Sequence, residues 1–302
     1  QSVLMRRKMD KKQYKEFYQR AIKNISQDYY YPYALFKKHL REFRDFKKNK
    51  VLKLEIHSEL VEMCELHSLK WGLFSFSINK ENLIFKSFMT IIANNILAVL
   101  NLLMAGLEYQ ALVVLRNLYE VSHTFLTIII DETKKIEYME SAAKNNEYHV
   151  WKKHFTHRKL VETLSAYEKK ISPDGDLDFL NTWRSSIYSK YSGIAHNDLF
   201  NVVSYSFAIP ETANEEVLES SIWGGILSRT NQIMIEMADL LFYVDVVFQK
   251  LLEDPAIGFK KEYIVHDEDN SRDYWNYASE LMLIIREYYF EIKIKIEQDN
   301  AQ

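Results

Sequence analysis

The sequence predicts an all-α protein, a large antiparallel helical bundle with an N-terminal basic helical extension. Three observations carry that expectation. Only 7 Gly and 4 Pro occur in 302 residues, so the punctuation that strands and tight turns need is scarce. Hydrophobic residues make up 47% of the chain, enough for a substantial core. Apolar positions also recur at helical spacing, as at Phe88, Ile91, Ile92, Ile96, Val99 and Leu103.

The elements follow in order. A first helix runs from near Asp10 to Ser26 and stops at Asp28-Tyr-Tyr-Tyr-Pro32. A basic, aromatic helix continues to about Lys48, and a third covers Leu52 to Gly72, with Glu55, Glu59, Glu62 and Glu65 on or near one face. Asn79 is positioned to cap a helix through Met104, and Gly106 turns the chain into Glu108–Ile130. Short connections of this kind place neighbouring helices antiparallel. Asp131-Glu-Thr breaks into a helix ending near Lys144, and another is expected from His149 to Lys170. Ser172-Pro-Asp-Gly-Asp is a turn. Leu177–Ile194 is helical, 197–210 is irregular, and Val202–Phe207 has extended character. A long helix is expected over Val217–Leu252, with Gly224-Gly225 as a kink, and Asp254-Pro255 ends it. Ser271 and Asp273 open a terminal helix to Gln298.

Charge divides the chain. Residues 1–53 hold 16 Lys+Arg and 5 Asp+Glu, a balance of +11, whereas the whole chain carries −3. The remainder therefore carries −14. We expect residues 1–72 to form basic, aromatic-rich helices packing on a main bundle of residues 73–302. The interleaving of Tyr29, Tyr30, Tyr31, Tyr33, Phe36, Phe43 and Phe46 with Lys37, Lys38, Arg41, Arg44, Lys47 and Lys48 suits helix packing and also suits single-stranded nucleic acid.

Cys64 is the single cysteine, which rules out an intramolecular disulfide and fits a cytoplasmic protein. No secretory signal is expected, because the basic start leads into Lys- and Tyr-rich sequence. Ser87–Leu107 is uncharged and long enough to span a bilayer. Its Asn94, Asn95 and Asn101 and its amphipathic spacing point to a core helix, so no membrane span is expected. No Gly-rich phosphate loop follows a strand, which argues against Rossmann and P-loop chemistry.

Arg116, Glu120 and His123 share one helix face in an apolar setting. Such charges are expected to be paired, either as a buried structural clamp or as part of a site in which Glu120 orients Arg116 toward an anion. Glu120-x-x-His123 also has the ligand spacing of di-iron bundles, but no second copy exists, and no metal or other cofactor is expected. His149, His154 and His157 lie among Lys152, Lys153, Arg158 and Lys159 and read as a solvated basic face.

The run Gly106-Leu-Glu-Tyr-Gln-Ala-Leu-Val-Val-Leu-Arg-Asn-Leu-Tyr-Glu120, with Tyr191-Ser-Gly-Ile-Ala-His196 downstream, resembles bacterial helical families. In those families an Arg-x-x-x-Glu helix precedes a Ser-x-x-x-His helix end. They are similar in turn to the HEPN helical bundles, many of which are metal-independent ribonucleases with an Arg shortly before a His. Lys190 stands six residues before His196 here, in place of that Arg.

The resemblance implies a protein that binds or cleaves RNA, with a homodimer as its expected assembly and a role in toxin or phage-defence systems. His196 would act as acid or base. Lys190, Arg184 or Arg116 would meet the phosphate charge, with Glu120 in support. Tyr191, Ser192, Asn197 and Asp198 would contact the ligand, Asn197 or Asp198 orienting the imidazole. The competing expectation is a non-enzymatic binding or scaffold protein with Arg116–Glu120 as a buried ion pair. In that reading Ser192–Asp198 is simply a helix C-terminus.

Overall fold

The computed structural model describes residues 58–172, 179–195, 229–255, 260–264 and 271–299. It also describes the short segments 207–208 and 219–220 and positions 16, 38, 41, 42, 44 and 45. Two compact units divide the chain, 1–53 and 54–302. The boundary expected at residue 72 therefore lies inside a helix of the second unit. Hydrophobic burial sets the division: Leu60, Met63, Cys64, His67, Trp71 and Phe74 form one inward stripe that belongs to the main core. In the first unit, Lys38 and Glu42 make an exposed i,i+4 pair at 3.7 Å.

The second unit is an all-α bundle, with nine α-helices among the described residues. They are α1 (Ser58–Ser77), α2 (Leu83–Met104), α3 (Glu108–Ile130), α4 (Glu132–Lys144), α5 (Glu147–His154), α6 (His157–Ile171), α7 (Phe179–Ala195), α8 (Thr230–Glu253) and α9 (Ser271–Asp299). Helix α3 is the hub, touching α2, α4, α6, α7 and α8, while α1 lies against α2, α8 and α9. Trp71 marks the centre, with Phe125 edge-on at 5.7 Å and Phe248 at 5.2 Å.

Local chemistry sets the helix ends. The Asn79 side chain accepts from the Asn82 backbone N–H at 3.1 Å and caps a short 3-10 turn before α2. Gly106 adopts φ 71, the left-handed conformation that lets α2 fold back into α3 through a short turn. Asp131 caps α4 through the Lys134 N–H at 3.2 Å, and Asn145, at φ 49, closes that helix.

Two expected elements change. The helix predicted over 149–170 is two helices, because the chain turns at Phe155 and Thr156 to bury Phe155. The helix predicted to begin at Val217 does not, since Glu219–Ser220 pair antiparallel with Phe207–Ala208 and α8 begins at Thr230. The extended character read into Val202–Phe207 survives at Phe207. The kink at Gly224-Gly225 lies outside the described residues.

Helix α3 and the span Lys80–Met104, which contains α2, are long and apolar enough to cross a membrane by length and composition. In the fold, 56% and 44% of their most apolar stretches are buried, so each packs one side into the core.

Candidate functional site

Where α3, α6, α7 and α8 meet, a chain of polar and aromatic groups runs from the core to the surface. Its deep end is the Arg184–Glu168 pair. Arg184, on α7, is fully buried. Both guanidinium Nη atoms donate to Glu168 of α6, Nη1 to Oε1 and Nη2 to Oε2, the latter at 2.8 Å. Nη2 also donates to Ser165 Oγ at 2.9 Å and Nη1 to the Tyr243 hydroxyl at 3.2 Å. Tyr243 in turn donates to Glu168 Oε1 at 2.7 Å. This fork-to-fork geometry is the one that holds a charge pair in a dry interior.

The middle of the chain is aromatic. His123 stacks on Tyr119 at 3.9 Å and on Tyr243 at 5.5 Å. Its Nδ1–H donates to the Tyr119 carbonyl at 2.7 Å. Burial lowers its pKa to about 3, so it stays neutral. The Tyr119 hydroxyl lies 3.4 Å from the Arg184 carbonyl and 3.2 Å from His157 Nε2. Burial raises the pKa of Tyr119 and lowers that of His157, the latter with help from the Arg184 charge.

The rim is formed by His157, Tyr188, Arg116 and Glu120. The His157 and Tyr188 rings lie nearly parallel at 3.6 Å. The Arg116 guanidinium sits 5.7 Å from the centre of the Tyr188 ring, within cation–π range. Arg116 Nε donates to Glu120 Oε1 at 3.1 Å. The Arg116 side chain is 17% exposed and that of Glu120 43%. The expected buried clamp is therefore a rim pair.

Other expected site residues fare differently. Arg184 cannot meet a ligand, because Glu168, Ser165 and Tyr243 enclose its charge. Lys190 is pinned on the surface by Glu236 of α8, to which the buried Tyr191 also directs its hydroxyl at 3.4 Å. Ser192 is partly buried on the last turns of α7. His196, Asn197 and Asp198 lie outside the described residues. Glu120 and His123 diverge, one to the rim and one to the core. Among the described residues no group of three or more His, Cys, Asp or Glu side chains could hold a metal ion. His154 pairs with Glu137 at 2.8 Å. His157, expected in solvent, turns inward to Tyr188, because α6 restarts after Thr156.

A second polar cluster went unforeseen. Lys70 and His67 on α1 both face Asp245 of α8, Lys70 Nζ on Oδ1 and His67 Nδ1 3.3 Å from Oδ2. All three are buried. Burial lowers the Lys70 pKa against the opposing pull of Asp245, raises that of Asp245 against Lys70, and holds His67 well below its usual range. Lys70 Nζ also lies 4.8 Å from the Trp71 ring. The signal was in the pattern: Asp245 interrupts Tyr243-Val-Asp-Val-Val-Phe248, and His67 stands on the apolar stripe of α1 with Lys70 three residues on.

Compared with known proteins, the chain matches no family model, no curated protein and no solved structure.

Proposed function

We propose that the protein binds single-stranded RNA at the surface rim where α3 meets α7, acting as a cytoplasmic helical binding protein. One observation carries the reading: a partly exposed guanidinium, held by Glu120, lies over a Tyr188 ring that is itself stacked on a neutral histidine. A partly exposed cation held in place by a carboxylate and an aromatic ring offers phosphate contact, the interaction that single strands supply at every nucleotide. The resemblance of Gly106–Glu120, with Tyr191–His196, to bacterial helical families that are in turn distantly similar to HEPN bundles fits that reading. Glu236 holds Lys190, the cation that a cleavage reading would set before His196.

The test is fluorescence anisotropy of a labelled single-stranded RNA with the full chain in EDTA, with the same mixtures run on a denaturing gel. Wild type should bind with an affinity that falls as salt rises. Arg116→Ala and Tyr188→Ala should each weaken binding by about tenfold, or about 1.4 kcal/mol. Absence of binding at low salt would leave the scaffold reading in its place. Cleavage abolished by His196→Ala would convert the proposal into a ribonuclease.

A further inference from the structure

The row of polar and aromatic groups ends at the surface in an imidazole edge that the protein itself does not use. His157 opens α6 and is partly buried, with its ring on Tyr188 at 3.6 Å and the two planes 11° apart. Its Nε2 lies 3.2 Å from the Tyr119 hydroxyl, and that hydroxyl lies 3.4 Å from the Arg184 carbonyl. Its Nδ1 makes no hydrogen bond among the described residues, yet it is not sealed from water as Nε2 of His123 is.

One hydroxyl proton shared among three groups fixes the tautomer. Tyr119 is buried, so its hydroxyl must be satisfied within the protein. A carbonyl can only accept, whereas a neutral imidazole brings one N–H of its own. Were the hydroxyl to donate to Nε2, its lone pairs would face those of the Arg184 carbonyl. Donating to the carbonyl and accepting from Nε2–H satisfies all three groups. Nδ1 then keeps its lone pair and stands at the surface as an acceptor. Burial and the Arg184 charge hold the pKa of His157 below its ordinary value, so the ring is neutral at pH 7.

We infer that His157 Nδ1 accepts the 2′-hydroxyl of a ribose, which makes the rim selective for RNA over DNA. The inference rests on the single-strand reading of the same rim and names the residue that tells the two sugars apart. Arg116 and His157 both lie against the Tyr188 ring, the guanidinium 5.7 Å and the imidazole 3.6 Å from its centre. One nucleotide therefore reaches both, its phosphate at Arg116 and its sugar at Nδ1. Tyr188 holds no base there, because His157 and Arg116 already pack on its ring. The sugar is what remains beside the phosphate, and its 2′-hydroxyl is the donor that DNA lacks. Tyr119 is a positioning residue: it meets no ligand and acts by keeping the imidazole proton on Nε2.

Fluorescence anisotropy of the full chain in EDTA at low salt tests it. The labelled probes are oligouridylate and its 2′-deoxy and 2′-O-methyl counterparts, so that the base stays constant. Wild type should bind the ribose strand about tenfold more tightly than either other strand, the worth of one hydrogen bond. His157→Phe keeps an aromatic ring on Tyr188, and His157→Gln keeps an amide near the Nε2 position; both remove the Nδ1 acceptor. Each variant, shown to be folded by circular dichroism, should bind all three strands alike and keep the salt dependence of phosphate contact. Tyr119→Phe frees the tautomer and should narrow the preference without abolishing binding. Equal binding of the three sugars by wild type would overturn the inference alone and leave strand binding standing. A ribose preference that survives in either folded His157 variant would overturn it as well. No binding of any strand would overturn the single-strand reading and the inference together.

Discussion

Two Arg–Glu pairs lie at opposite ends of one polar chain, and they differ in nearly every physical respect. Arg184–Glu168 joins two successive helices, is dry, and pairs both Nη atoms with the carboxylate. Arg116–Glu120 joins adjacent turns of one helix, makes a single contact through Nε and is partly exposed. The same two residue types thus serve for cohesion in one place and are left available in the other. Burial decides which: a pair sealed from water is costly to break, while a pair in water contributes little and leaves its cation accessible.

The comparison breaks first at the deep end. Glu168→Ala or Arg184→Ala leaves an uncompensated buried charge and should cost about 3–5 kcal/mol, lowering Tm by roughly ten degrees in thermal melts. Asp245→Ala should act similarly by orphaning Lys70. The double variant Lys70→Met/Asp245→Leu should lie closer to wild type than either single change does, since no buried charge is then left over. A double variant as unstable as the singles would show that the cluster adds net stability.

Acid should find the next weakness. His67 and His123 have folded pKa values below the usual 6.5, His123 at about 3. Their contribution is fully present above pH 6.5 and is lost as pH falls from there toward the folded values, because the unfolded chain takes up protons first. Each group should remove up to about 1.4 kcal/mol per pH unit in that window. Denaturant midpoints measured from pH 7 to 5 should therefore fall, and His123→Gln should flatten the slope. Nearer the carboxylate range Glu108 and Asp245 oppose the trend, because burial raises both above their usual values.

At the rim the effects should be small. Arg116→Ala is expected to change stability by less than about 1 kcal/mol while weakening RNA binding, so a large fall in Tm with unchanged binding would make the pair structural after all. Smallest of all is Arg158→Ala, which removes an exposed contact to Glu162 at 3.0 Å; its melting curve should overlay that of wild type.

Much of the fold was legible in the residues themselves. The helices 83–104, 108–130 and 271–299 follow from apolar spacing, and the turn at Gly106 acts within a few residues, whereas Asn79 caps a 3-10 turn ahead of the helix it was expected to cap. Arg116–Glu120 was legible for the same reason, since an i,i+4 pair needs only a helix. Its depth was not, because spacing along one helix says nothing of what packs over it. The break at Phe155–Thr156 has no local signal, because apolar and basic residues continue in helical register across it. The partners of Arg184 lie 16 and 59 residues away in Glu168 and Tyr243, and Lys70 meets Asp245 across 175 residues. The sequence alone therefore determined most of the helices and the uncharged run on α2, consequences of local periodicity. Only the tertiary structure decided which charges are sealed and which face water, because burial is set by the helices that pack across from a residue and not by its neighbours in the chain.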